Sequence, residues 1–166
     1  MKEKNLFCKV QAKPCRLLFI CLGNICRSPA AEGVMRYLVH ERHCDSDFII
    51  DSAGIGNWHV GQLPDKRMRS CGARHGYVFD SHARQIKKSD FENFDMLLVM
   101  DKDNYAAVTA LAPSLEAKKK VYMLTDFIER DVYAVPDPYY GDTEDFDYAL
   151  DLIEEACGKL MEELQG

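Results

Sequence analysis

Cys21 and Arg27 stand six positions apart in the stretch Cys21-Leu22-Gly23-Asn24-Ile25-Cys26-Arg27-Ser28-Pro29. An apolar run, Leu17–Cys21, leads into it, and a helical pattern follows. A loop that enters a helix N-terminus turns its backbone N–H groups into a concave nest, and the helix dipole adds positive potential. Gly23 relieves steric limits on such a loop, and Asn24 tolerates a left-handed backbone. Ser28 suits the helix N-cap and Pro29 the first helical position. The loop is therefore an anion cradle, in which Leu22, Gly23, Asn24, Ile25, Cys26 and Ser28 surround one tetrahedral oxyanion. Cys21 and Arg27 add reactivity. Positive potential favours the thiolate, which is the nucleophilic form of cysteine. The planar guanidinium of Arg27 can grip two oxygens of a phosphate at once. Ser28 can donate a hydrogen bond to the sulfur and so improve it as a leaving group. The loop lacks the Gly-Lys-Ser/Thr of a Walker A motif and the Gly-x-Gly-x-x-Gly of a dinucleotide fingerprint.

Phosphoryl transfer to a thiolate also requires an acid to protonate the departing oxygen and a base for the water that follows. Asp137, stiffened between Pro136 and Pro138, is a candidate; an ordinary turn aspartate is the competing reading. Trp58, Tyr139 and Tyr140 are large rings in turn-like segments, placed to wall an aryl group. His40, His43 and Cys44 invite a metal reading, but no spaced fourth ligand accompanies them, so they are read as a helix C-terminus. No metal or cofactor is expected.

These residues need a scaffold. Four apolar runs of strand length, Leu17–Cys21, Phe48–Ile50, Met96–Met100 and Val121–Leu124, do not alternate with polar residues, which suits strands buried on both faces of a parallel sheet. Between them Ala31, Val34, Met35 and Leu38 fall at helical spacing, and a second helix is expected from Asp101 to Leu111, stopped by Pro113. A last helix carries Phe146, Leu150, Ile153, Cys157, Leu160 and Leu164 on one stripe. Alternation of strand and helix predicts a single-domain, doubly wound α/β fold, a four-stranded parallel sheet flanked by helices on both faces. Ligands in such folds bind beyond the carboxyl ends of the strands, which points again to the loop after Cys21. Residues 1–15 are expected to be an extended or disordered lead-in and residues 16–166 the domain. The apolar run after the N-terminal lysines is too short for a secretory signal.

The loop Cys-Leu-Gly-Asn-Ile-Cys-Arg-Ser-Pro resembles the signature of the low-molecular-weight protein tyrosine phosphatases, and the likeness runs from about residue 16 to the C-terminus. Asp51-Ser52-Ala53-Gly54, Trp58-His59-Val60-Gly61, Ala83-Arg84-Gln85, Phe94-Asp95 through Met100-Asp101, and Pro136-Asp137-Pro138-Tyr139-Tyr140 match as well. The resemblance implies hydrolysis of phosphotyrosine through a phosphocysteine at Cys21, with Asp137 as the acid. It also implies support of the loop by Asn24 and Ser52, and a cleft lined at Trp58 and Tyr140. It makes Cys26 a redox guard able to pair reversibly with Cys21. A histidine before Ala-Arg-Gln often joins the support network; here Ser81 and His82 compete for that position. Implied partners are phosphotyrosine proteins, in bacteria often with a tyrosine kinase of exopolysaccharide export, and inorganic phosphate or other oxyanions in the loop. Two relatives of different chemistry are weighed. Arsenate reductases on this scaffold need a downstream thiol pair, and only Cys71 lies mid-chain. Arginine phosphatases carry Thr where this chain has Ile25. A phosphoanion-binding module without activity is a further class, set against the presence of nucleophile, arginine and acid.

Composition bounds these readings. With 47% hydrophobic and 29% charged residues the 166-residue chain is neither disordered nor fibrous. No apolar run reaches the ~18 residues of a membrane span. The net charge of −6 argues against nucleic acid. Its distribution is uneven, because residues 137–166 hold ten acids and one base. Seven cysteines cannot all pair with one another, which favours a reducing, cytoplasmic setting. Cys71 and Cys157 are expected to be core thiols, and Cys8, Cys15 and Cys44 have no evident role.

Overall fold

In the computed structural model, which describes residues 13–165, the hydrophobic runs form a sheet whose strand order explains where a ligand must sit. The strands are β1 (Cys15–Cys21), β2 (Phe48–Gly54), β3 (Met96–Val99) and β4 (Val121–Met123), ordered β2-β1-β3-β4 and all parallel. Helix α1 (Arg27–Glu41) joins β1 to β2, and α2 (Lys66–Arg74) and the single turn α3 (Asp90–Asn93) precede β3. Helix α4 (Lys102–Leu111) and the turn α5 (Leu115–Lys118) lead to β4, and α6 (Thr143–Gln165) closes the chain.

Both faces of β1 are covered, as its unalternating sequence requires. Leu17, Phe19 and Cys21 enter one core with Val34 and Met35 of α1, Met68 of α2 and the Phe146–Leu160 stripe of α6. Leu18 and Ile20 enter the other, with Leu97, Val99, Val108 of α4 and Ala117 of α5. The chain leaves β1 towards β2 on one side, and β3 lies on the other. The carboxyl end of β1 is thus the point where the winding reverses and a crevice opens.

Two boundaries differ from expectation. Cys15 is the first residue of β1, paired with Phe48 and buried, so the domain begins within the expected lead-in; the expected disorder of residues 1–12 lies outside the described residues. Strand β2 runs on to Gly54, because Asp51 and Ser52 spend their polar groups on Arg84 and Glu32 rather than breaking the strand.

Arg16 and Asp95 lock β1 to the segment entering β3. The carboxylate accepts from the Arg16 backbone N–H at 2.8 Å and from its guanidinium at 3.0 and 3.3 Å. Burial opposes the charge, but the bonds from Arg16 outweigh it and hold the Asp95 carboxyl below its ordinary 3.8. A depressed carboxylate stabilises the fold above its ordinary value and loses that contribution as pH falls through the folded value. Asp95→Asn should therefore cost about 1–2 kcal/mol at neutral pH. Urea unfolding of the two chains should converge in acid; a gap that persists there would show that charge is not its source.

Candidate active site

Beyond Cys21 the chain wraps back on the end of β2. The carbonyls of Cys21, Leu22 and Ile25 accept from the N–H groups of Ile55, Gly56 and Asp65 at 3.0, 2.9 and 2.6 Å. A trans peptide sets its N–H opposite its C=O, so the N–H groups of Leu22, Gly23 and Cys26 are turned to the inside of the loop. Asn24 adopts the left-handed conformation expected of it, with φ of 58°. Gly23 does not; its smallness is needed because a Cβ there would lie 3.0 Å from the His59 ring. At Gly54 a Cβ would meet the Gly23 backbone at 2.9 Å, so a glycine lets the loop close on β2.

Ser28 is not the helix cap. Helix α1 already begins at Arg27, Cys26 occupies the capping position without a side-chain bond, and Pro29 lies within the first turn. The Ser28 hydroxyl is instead 3.0 Å from Cys21 Sγ. It accepts from Asn24 Nδ2 at 2.7 Å, which leaves its own proton for the sulfur or for the more distant Ala53 carbonyl at 3.4 Å. The chain of bonds continues inward. Asn24 Nδ2 also reaches Ser52 Oγ at 3.0 Å, and Ser52 donates to Glu32 Oε1 at 2.6 Å. Glu32 is buried and in turn accepts from Arg36. The remaining Asn24 group, Oδ1, accepts from the backbone N–H of Arg84 at 3.0 Å. That N–H, rather than the side chain of Ser81 or His82, is what the following segment contributes. Arg84 is itself fixed by Asp51 and by the buried Asp90.

Arg27 is only 2% exposed, yet its guanidinium reaches the crevice. Asp101, which caps α4, accepts from its Nη1 at 2.6 Å, and the Val135 carbonyl does so at 2.9 Å. Burial works against the Arg27 charge, but the negative potential of Cys21, Asp101 and Asp137 outweighs it and holds the group cationic. Val135 also donates its N–H to the Met100 carbonyl at 2.8 Å. Pinned on both sides, it delivers Asp137 two residues later. The Asp137 carboxylate sits 3.7 Å from Arg27 Nη2 and accepts from the Tyr139 N–H at 3.1 Å.

These groups share a cavity of about 310 Å³. Its floor holds Cys21, Cys26 and Arg27, one side carries Leu22, Gly23 and Ile25, and the mouth carries Asp137, Trp58, His59, Tyr139 and Tyr140. Trp58 and Tyr140 are 65% and 95% exposed, so packing does not account for them. Tyr139 is half-buried, edge-on to Tyr140 at 4.9 Å and beneath the Arg67 guanidinium. Asn24 and Ser28 lie behind the cavity wall.

The family model described as low molecular weight phosphotyrosine protein phosphatase matches residues 16–166. The chain belongs to that family. It is a cysteine-based protein tyrosine phosphatase. The phosphatase of this family from Sus scrofa is 36% identical over 150 residues, which span 90% of this chain and 95% of the relative. The crystal structure of a protein tyrosine phosphatase from Entamoeba histolytica, with Hepes in its active site, superposes with a TM-score of 0.87 at 43% identity, covering 91% of this chain and 97% of that one. A Drosophila arginine phosphatase does so with a TM-score of 0.86 at 30% identity, covering 93% and 99%.

Within this phosphatase the other cysteines differ from Cys21 in surroundings. Burial pushes the Cys26 thiol up, and the charges of Asp65, Cys21 and Asp137 add to the effect. Burial likewise raises Cys15 to about 12. Cys157 lies fully buried on the α6 stripe, as its position predicts. Cys71 is buried too, but it is more than a filler, since its thiol donates to Asp147 at 2.9 Å. His40, His43 and Cys44 gather at the end of α1, where Cys44 turns its thiol to the Val39 carbonyl. Five site residues escaped the sequence reading: Asp101, Val135, Glu32, Arg84 and His59. Asp101, Arg84 and His59 stand in stretches that resemble the family, and Asp101 also directly follows the third apolar run; Val135 and Glu32 carry no such signal.

Proposed function

We propose that Cys21 attacks the phosphorus of a phosphotyrosine side chain while Arg27 and the inward amides of Leu22, Gly23 and Cys26 hold the three equatorial oxygens. The P–O bond to the phenol breaks as the P–S bond forms, and Asp137 gives its proton to the departing phenolate. The same carboxylate then takes a proton from water, whose oxygen displaces the sulfur and releases inorganic phosphate. Ser28, 3.0 Å from the sulfur, stabilises the thiolate both as it enters and as it leaves. Asn24, Ser52 and Glu32 keep the loop wound, and Asp101 and Val135 aim the guanidinium. Trp58, Tyr139 and Tyr140 flank the ring of the substrate. The single observation that carries this reading is the meeting of Cys21 and Arg27 from one loop with Asp137, more than a hundred residues further on, in one cavity. Substrates are phosphotyrosine proteins, a bacterial tyrosine kinase among the candidates, and free oxyanions occupy the same cradle. A reducing cytoplasm suits a mechanism that depends on a free thiol.

The Drosophila arginine phosphatase fits the chain nearly as well as the tyrosine phosphatase of Entamoeba does, so the fold does not choose between the two substrates. Ile25 does. Its apolar side chain lines the cavity, where it favours an aryl ring over a guanidinium. An apolar-for-polar exchange at such a wall changes selectivity by roughly 10–200-fold. Peptides carrying phosphotyrosine or phosphoarginine should be compared by kcat/KM, with EDTA present and absent. We expect preference for phosphotyrosine by that margin, narrowed in Ile25→Thr, and no effect of EDTA. Faster release from phosphoarginine would overturn the substrate assignment.

A further inference from the structure

Where α2 packs on α6, a thiol, an imidazole and carboxylates meet that the phosphatase reaction does not use. Cys71 and His75 are one turn apart at the end of α2, and Asp147 and Glu154 face them from α6. His75 Nδ1 lies 2.8 Å from Glu154 Oε1, and the other Glu154 oxygen accepts from the Tyr77 hydroxyl at 2.7 Å. Glu154 therefore accepts from Nδ1–H, which leaves Nε2 as the ring nitrogen turned to the other side. That nitrogen faces Asp147 Oδ1 at 3.6 Å. The Cys71 sulfur is 2.9 Å from the same oxygen, and the three atoms all lie within 4.8 Å of one another.

We propose that Cys71, His75 and Asp147 bind a structural zinc ion that ties α2 to α6, with Glu154 orienting His75 and water completing the tetrahedron. With zinc bonds of about 2.0–2.3 Å, ligand atoms around a tetrahedral ion stand roughly 3.3–3.6 Å apart; Nε2 and Asp147 Oδ1 already stand so, and the sulfur must draw back from its 2.9 Å hydrogen bond to that oxygen. Glu154, a partly exposed carboxylate behind the ligating histidine, is the kind of partner that zinc sites use to fix the ring. The sulfur favours zinc over magnesium or calcium, which take oxygen ligands. Arg74 also bonds Asp147 Oδ1, at 2.8 Å, and must turn to Oδ2 or to solvent. Asp151 leaves the seam with negative charge in excess of that one guanidinium. On binding, the Cys71 S–H bond breaks, its proton passes to solvent, and the sulfur lone pair forms the bond to zinc without electron transfer. The seam lies outside the lining of the active-site cavity, so the proposal stands apart from the phosphatase reading.

The test uses the full chain carrying Cys21→Ser, so that the loop thiol does not compete for metal. Cobalt(II) should bind with one equivalent and give a thiolate-to-cobalt absorption band, displaced by zinc chloride. The band should vanish with Cys71→Ser added, and His75→Gln should abolish binding by a partly exposed change. Glu154→Gln, which disturbs only the orienting carboxylate, should weaken cobalt ten- to a hundred-fold. In the unmutated chain zinc should raise the unfolding temperature, and in Cys71→Ser it should not. No cobalt uptake by the Cys21→Ser chain, or a band that survives both added substitutions, would overturn the site.

Discussion

Cys21→Ser is expected to lower turnover of an aryl phosphate by about 10⁵–10⁶-fold, the order of loss when an enzyme gives up its covalent nucleophile. Oxygen fits where sulfur was, and the Ser28 hydroxyl still has a partner 3.0 Å away, so the loop should stay wound. A serine hydroxyl, however, remains protonated where a thiol can ionise. Arg27 and the amides are untouched. Phosphate and phosphotyrosine peptides should therefore bind with affinity close to that of the parent chain, which makes the variant a trap for substrates in lysate. Single-turnover assays and equilibrium binding separate the two expectations. Turnover above about a hundredth of the parent rate would remove Cys21 from its role.

The second large effect concerns Asp137. Loss of a positioned acid–base group costs about 10²–10⁴-fold, and the size within that range should follow the leaving group. Phenyl phosphate, whose phenolate needs a proton, should lose most in Asp137→Asn. p-Nitrophenyl phosphate leaves more readily without help and should lose least at the first step. The water attack still lacks its base in either case. Breakdown of the phosphocysteine then becomes slow, and a burst of p-nitrophenol should precede the steady state. Equal losses for both substrates without a burst would reduce Asp137 to a residue that merely aims Arg27, 3.7 Å away.

Much of this geometry could be read from residue types, and the gaps have physical causes. The strands were visible because burial on both faces leaves unbroken apolar runs, and α6 because six stripe positions repeat at helical spacing. Helix α2 was not, since its buried face is only Met68, Cys71 and Gly72 among arginines and lysine. Cys21, Arg27 and Asp137 stood out because their chemistry is particular and their local settings, a helix start and a Pro-Asp-Pro turn, are stiff. Asn24 announced its left-handed backbone by its type. Ser28 misled for the same reason, because a serine before a proline is a good cap, and only the tertiary approach of Cys21 and Asn24 gave it another partner. Glu32, Arg84 and Val135 act through bonds to residues distant in sequence, two of them through backbone groups that every residue type carries. No local pattern records such bonds.

The double anchoring of Val135 has a mechanical consequence. Its N–H is held by the Met100 carbonyl just beyond β3 and its carbonyl by the Arg27 guanidinium. One residue therefore sets both where the segment carrying Asp137 departs and where the Arg27 guanidinium points. A change that displaces the backbone at 135 would move the Asp137 carboxylate and the Arg27 guanidinium together, so the two cannot be repositioned independently through this joint.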